Sequence, residues 1–343
     1  MLPPTAHPLV IYHADCLDGF AAAWAAYRKY REEAVYLPLH HGEAWDESLC
    51  DGREVVILDF SFAPELLCAL AARARSITQL DHHQSARQPW LGRLHATDSG
   101  LEEYRHPGLP LFLRFAGEQS GARLAWNYFH PGEPLPLLLQ HVEDVDLWRF
   151  ALPASRAITR SLRLLPFDLA IWEQTIADAA SAEHPAYRQL QWQGEAIEHF
   201  IRREVDRLAD SPLVRVARLR GEPCDPMQAV RHGQETVGEG DSTWLTQAAV
   251  AINCDGLFAS ELGHELARRH ARPALIWQLT GDGTVRASLR AVGDCDVAVI
   301  ASRYGGGGHR HAAGFRLPAA AFFREVLGLE ASGSPVPGST TPG

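Results

Sequence analysis

The sequence predicts an α/β protein in two parts, a doubly wound and mainly parallel sheet domain followed by a smaller mixed α/β domain. Three observations predict it. Short, nearly continuous apolar runs alternate with helical patterns through the first half, the mark of a parallel sheet covered on both faces. A charged amphipathic stretch from Tyr187 to Leu208 then reads as one long helix between two apolar regions. Finally, 343 residues exceed what a single core usually serves.

Taken in order, Leu9 to Tyr12 is the first strand and Phe20 to Tyr30 a helix; Val55 to Leu58 is the next strand and Pro64 to Arg75 the helix after it. Ser76 to Leu80 is a weaker strand, and Gly121 to Tyr128 and Leu137 to Val142 are helices. Past the long helix come strands at Leu213 to Arg220, Gln247 to Asn253, Ala274 to Leu279 and Val285 to Leu289, with a helix at Ala259 to Arg269. The expected division is residues 1–185, a helical linker over 186–209, and a second domain over 210–328. Residues 329–343, rich in Gly, Ser, Pro and Thr from Ser332 on, cannot offset their ordering entropy by burial and are expected to be disordered.

Composition excludes several functions. A formal net charge of −10 argues against a long footprint on duplex nucleic acid, which depends on neutralising many phosphates, but leaves room for a short anionic substrate held by a local cluster of cations. No apolar run reaches the roughly 18 residues of a membrane span, and the start of the chain lacks the basic and apolar pattern of a secretory signal. The six cysteines form no C-x-x-C pair and read as reduced thiols, so a cytoplasmic location is expected. The oligomeric state stays open, a homodimer being compatible with the sequence.

Chemistry gathers where predicted strands end, the place where open α/β sheets hold ligands. His13-Ala14-Asp15-Cys16-Leu17-Asp18-Gly19 follows the first strand, Asp59 closes the second, and Asp81-His82-His83 follows the third. Glu143-Asp144-Val145-Asp146 follows the helix at Leu137 to Val142. Each alone could be a cap or a solvated turn. Together, oxygen and imidazole donors without thiolates suit Mn2+ or Mg2+ better than structural zinc, and one carboxylate can join two ions about 3.5–4 Å apart.

This ordered set resembles the DHH phosphoesterase superfamily, whose members include RecJ-like exonucleases, oligoribonucleases, cyclic-nucleotide phosphodiesterases and family II pyrophosphatases. The resemblance extends over Leu9 to about Phe315, because Tyr304-Gly305-Gly306-Gly307-Gly308-His309-Arg310-His311-Ala312-Ala313-Gly314-Phe315 is similar to the glycine-rich hallmark of the DHH-associated domain. It implies that His13, an acidic residue of the first loop and Asp59 hold one metal, and that Asp18, Asp59, His82 and Asp144 hold the other, with Asp59 shared. It also implies that His83 sits near the scissile phosphate and that Asp81 buttresses the histidines. Relatives often carry D-x-D in the first loop, where Cys16 stands here. Asp15 is the favoured replacement, with Cys16 a packed small residue. Asp144 is preferred to Asp146 for the later position.

Four successive glycines imply positive φ or a very close backbone approach, and exposed amides there could cradle an anion ahead of a helix of small residues. Gly306, Gly307, Gly308 and His309, with Arg290, Arg310 and the flanking Arg303, are therefore expected to grip a phosphate. The resulting expectation is a phosphodiesterase with two divalent ions, Mn2+ first and Mg2+ or Co2+ also suitable, working in a cleft between the domains. It would cut short single-stranded oligoribonucleotides to mononucleotides, with cyclic mono- or dinucleotides as the second substrate class. A nucleotide-binding sensor without turnover is the reading from another class. The complete His13, Asp18, Asp59, Asp81-His82-His83 set speaks against it.

Overall fold

The computed structural model describes residues 7–238 and 243–329, so the tail expected at 329–343 lies, Leu329 apart, outside the described residues. The chain divides into two compact units, Met1–Phe200 and Ile201–Gly343.

In the first unit, β1 (Leu9–His13), α1 (Leu17–Tyr30), β2 (Val35–Leu39), β3 (Glu54–Leu58), α2 (Pro64–Ala71), β4 (Ser76–Asp81) and α3 (Gln84–Arg87) come first. Then follow β5 (His95–Ala96), β6 (Glu102–Arg105) and β7 (Leu111–Phe115), and the helices α4 (Gly121–Phe129), α5 (Leu137–Asp146), α6 (Ser155–Leu162), α7 (Leu169–Asp178) and α8 (Pro185–Ala209), the last of which continues past Phe200. The sheet order is β2-β1-β3-β4-β7-β6-β5, parallel from β2 to β7 and antiparallel beyond. The expected doubly wound fold is therefore present, with an antiparallel edge that the sequence reading did not include.

The strands are apolar at successive positions because both faces are covered. Val10, Tyr12, Val56 and Leu58 point into one core with α1 and α4, while Leu9, Ile11, Val55 and Ile57 point into another with α2. Helix α1 is buried almost all round, and its alanines let it approach α4 closely enough for the Trp24 and Trp126 rings to stack at 5.6 Å. The order in which strands are added reverses at β1, since β2 lies to one side of β1 and β3 to the other. That switch point opens a crevice at the carboxyl ends of β1 and β3.

The second unit contains β8 (Arg215–Pro223), α9 (Pro226–Arg231), β9 (Thr236–Val237), β10 (Trp244–Asn253), α10 (Ala259–His270), β11 (Ala274–Leu279), β12 (Thr284–Arg290), α11 (Val297–Ser302), β13 (Gly307–His309) and β14 (Ala312–Pro318). Its sheet runs β13-β14-β12-β11-β10-β8, with β9 on β10. Only β10 and β11 are parallel among the described pairs, so the expected mixed α/β character holds.

Helix α8 packs on α6 through Gly194, where an added Cβ would fall 1.7 Å from the Ala157 carbonyl oxygen. Backbone cannot yield as a flexible side chain can. Gly194→Ala is accordingly expected to destabilise the first unit by about 1–3 kcal/mol, read as a lower urea midpoint with unchanged helical content by circular dichroism.

Candidate metal centre

Strand register brings the predicted clusters together. Tyr12 pairs with Leu58 and Leu58 with Leu80, so the next residues, His13, Asp59 and Asp81, stand in a row across the carboxyl edge of the sheet. Asp59 adopts φ +52°, a left-handed conformation that aspartate tolerates better than branched residues. The bend turns its carboxylate back into the crevice.

That carboxylate uses its two oxygens in different directions. Oδ1 lies 3.1 Å from His82 Nε2, and Oδ2 faces His13 Nδ1 at 3.6 Å, beyond hydrogen-bond length. His82 Nε2 is also 3.6 Å from Asp18 Oδ2 and 3.6 Å from Asp146 Oδ2. Asp81 closes the arrangement from behind. Its Oδ1 accepts from the backbone of His82 at 2.7 Å and of His83 at 3.1 Å, and pairs with His83 Nδ1 at 2.7 Å.

Two glycines leave room for this. Asp18, in the first turn of α1, reaches the N-terminus of α4, where its carboxylate accepts from Gly121 N at 2.6 Å and Ala122 N at 3.0 Å, favourably placed against the helix dipole. A Cβ on Gly121 would come within 2.6 Å of Asp59 Cβ, and one on Gly19 within 2.5 Å of the His13 carbonyl oxygen.

Electrostatically the cluster is crowded with negative charge. Burial, then the carboxylates of Asp146 and Asp59, lift Asp18 well above the usual carboxylate range. Partial desolvation beside the cluster also raises Asp146, whose side chain stays 27% exposed, against the pull of His82. For Asp59 and Asp81 burial acts in the same sense, but the adjacent histidines prevail and both are lowered. Burial would lower His82 and His83; Asp59, Asp146 and Asp18 outweigh it at His82, which rises well above its normal range, and Asp81 pushes His83 up to about 9. Buried His13 Nδ1, Asp59 Oδ2 and Asp81 Oδ2 have no hydrogen-bond partner. Buried polar atoms are rarely left so, and inward-facing oxygens and an imidazole nitrogen make a donor set for hard divalent cations. Atoms of His13, Cys16 and Asp59 lie within 4.8 Å of one another, as do those of Asp18, His82 and Asp146.

Two expected ligands lie elsewhere. Asp15, at φ +52°, is 82% exposed and faces His40 at 3.4 Å, so the inward place in the first loop falls to Cys16. Burial and the carboxylates of Asp59, Asp146 and Asp18 hold the Cys16 thiol well above its usual range. Asp144 is the second correction. Helix α5 runs on to Asp146 instead of ending at Val142, and in a helix residues two apart face nearly opposite ways. Asp144 points to the following loop, accepting from Ala151 N at 2.8 Å, Leu152 N at 3.0 Å and Ser155 Oγ at 2.5 Å, while Asp146 meets His82. Sequence reasoning had both candidates, and an extended helical register through Asp146 would have separated them.

The glycine run also differs from its expectation. Gly307–His309 is a strand paired with β14, and the small residues after it continue as strand instead of starting a helix. Gly305 takes φ +77°, and a Cβ on Gly306 would meet the Gly314 carbonyl oxygen at 2.0 Å, so the close approach that these glycines permit is to their own neighbouring strand. Arg290 is turned inward, donating to Ser260 Oγ and the Leu289 carbonyl; Arg310 donates to the Asp294 carbonyl and Arg303 pairs with Glu222.

Residues 248–329 match the family model of the DHHA1 domain, which bears out the resemblance to the DHH superfamily with its C-terminal DHHA1 domain. The chain is 24% identical to an uncharacterized protein of Acanthamoeba polyphaga mimivirus over 89% of its own length, and spans only 66% of that relative. Among solved structures, it is similar to RecJ in complex with Mn2+ from Thermus thermophilus (13% identity, 92% of this chain and 50% of that one, TM-score 0.45). It is likewise similar to a pGpG-specific phosphodiesterase from Vibrio (11%, 91% and 93%, TM-score 0.40).

The two aspartates of α5 should part company on substitution. Asp144→Ala, which strips three donors of their acceptor, is expected to lower the melting temperature by several degrees. Asp146→Asn should melt within about a degree of the parent yet weaken Mn2+ binding at least about ten-fold by calorimetry, and Asp15→Asn should leave Mn2+ affinity unchanged.

Proposed function

With a DHHA1 domain in its second unit as the premise, we propose that this protein is a two-metal phosphodiesterase that cuts short oligoribonucleotides to mononucleotides. The observation that carries this reading is the buried cluster itself, in which Asp59 turns one oxygen to His13 and the other to His82. A single carboxylate so placed suits a position shared by two ions, with His13 and Cys16 on one side and Asp18, His82 and Asp146 on the other. Mn2+ is the leading candidate, and two such ions would supply Lewis acidity and lower the pKa of an attacking water.

The chain's own groups would do the rest. Asp81 fixes His83 through Nδ1, so that Nε2 of His83 would steady charge developing on the phosphate or hand a proton to the leaving oxygen. Asp18, anchored on the α4 N-terminus, would keep its position as charge in the site changes. A preference for short substrates over long duplexes is supported by the net charge of −10. A cytoplasmic setting is supported by six unbridged thiols. No helix among the described residues is long and apolar enough to cross a membrane.

The test is a Mn2+-dependent hydrolysis panel of pApA, five-nucleotide RNA, long single strands, cyclic AMP, cyclic di-AMP and pyrophosphate. Fastest turnover is expected on pApA and the pentanucleotide; fastest turnover on a cyclic nucleotide would reassign the substrate class. Asp59→Ala should abolish Mn2+ uptake at both positions and reduce turnover by several orders of magnitude while the protein stays folded. Saturating Mn2+ should raise the melting temperature of the parent, and that rise should be lost in Asp59→Ala.

A further inference from the structure

Beside the metal-site residues, the first unit holds a cavity of about 410 Å3 formed by the loops that follow β2 and β3. Its volume lies within the range of small-ligand pockets, and Leu39, His41, Trp45, Phe60, Phe62 and Leu66 supply much of its wall. The rings are ordered. His13 lies 5.4 Å from His41, which stacks on Phe60 at 4.4 Å and 15°. Phe60 meets Phe62 edge-on at 5.2 Å, and Phe62 stacks on Trp45 at 5.5 Å and 20°. A file of aromatic faces thus leads from a metal-site residue into the cavity.

Charge narrows what the cavity can hold. Glu43, which accepts from His40 N, and Glu47, which pairs with Arg73 at 3.5 Å, line it, and among the described residues no lysine or arginine does, so the wall offers a phosphate no cation of its own. A neutral planar group with N–H donors would find stacking faces and carboxylate acceptors. The rings are supplied by loops, with His41 exposed and Trp45 half-buried, so they are accessible to a ligand.

We propose that this cavity receives a heterocyclic base of the substrate, the base stacking against His41 and Trp45 while its phosphate is held at the metal centre. This rests on the phosphodiesterase reading above and deepens it, since it assigns recognition of the nucleoside to the first unit. Trp45 is here a specificity residue, outside the reacting atoms.

The test separates the base from the phosphate. Adenosine and ribose 5-phosphate are titrated into the full-length protein and followed by ligand-observed NMR. Adenosine is expected to bind the parent, to weaken by about ten-fold or more in Trp45→Ala, and to recover in Trp45→Phe, which keeps a ring. Ribose 5-phosphate affinity in the presence of Mn2+, and Mn2+ affinity itself, should be the same in Trp45→Ala as in the parent. Absence of adenosine binding to the parent, or undiminished binding to a folded Trp45→Ala protein, overturns the proposal. Failure of the phosphodiesterase reading would show separately, as absence of Mn2+-dependent hydrolysis across the panel in a parent protein that still binds adenosine.

Discussion

Asp59 is held out of water between two imidazoles, at the end of a parallel strand and in a backbone conformation that few residues tolerate. Almost everything else in the first unit is arranged to keep it there. The register of β1, β3 and β4 sets its level, and the missing side chains of Gly19 and Gly121 clear its surroundings. Asp81 orients the histidines from behind. A charge buried in this way is costly unless compensated, and the two cores packed on either face of the sheet supply the stability against which that cost is set.

The carboxylates around it divide their tasks by direction. In the last turn of α5, Glu143 pairs with Arg123 and Arg149, Asp144 ties down the next loop, and Asp146 turns to His82. Three consecutive tasks from four residues are available only because a helix rotates each side chain by roughly 100° from the last. Burial and neighbouring carboxylates raise both Asp18 and Asp146, with His82 as the counter-group to each, and a divalent cation placed among them would relieve that crowding.

The fold was legible wherever burial dictated the pattern. Strands covered on both faces, such as Leu9–His13 and Glu54–Leu58, must be apolar throughout, and the long helix α8 announces itself by its charged periodicity. The antiparallel edge was not legible, because Glu102–Arg105 is half-exposed and polar, with Glu102 and Glu103 engaged by Arg87 and Arg114 instead of by an apolar core. At the site, His13, Asp18, Asp59, Asp81, His82 and His83 could be named from strand ends and motif spacing. Asp15 and Asp144 could not be told from their neighbours, since which of two nearby residues faces inward depends on φ at one loop position and on where α5 stops. The glycine run showed that something approaches closely; only the pairing of Gly307–His309 with Ala312–Pro318 identified it as the chain's own backbone.

The row of His13, Asp59 and Asp81 across three parallel strands also bears on how the protein acquires its shape. Parallel neighbours are joined by crossovers, so these side chains meet only after long loops have closed, and such pairings form slowly. In a zinc finger the ion gathers nearby ligands and so drives folding, but here the donors are scattered from residue 13 to residue 146. Short local sets such as His13 with Asp18 or His82 with His83 exist in the unfolded chain, but a divalent cation would meet the whole donor set only once the sheet has formed. Its contribution falls on the finished structure, where it would slow unfolding and leave the rate of folding to the sheet.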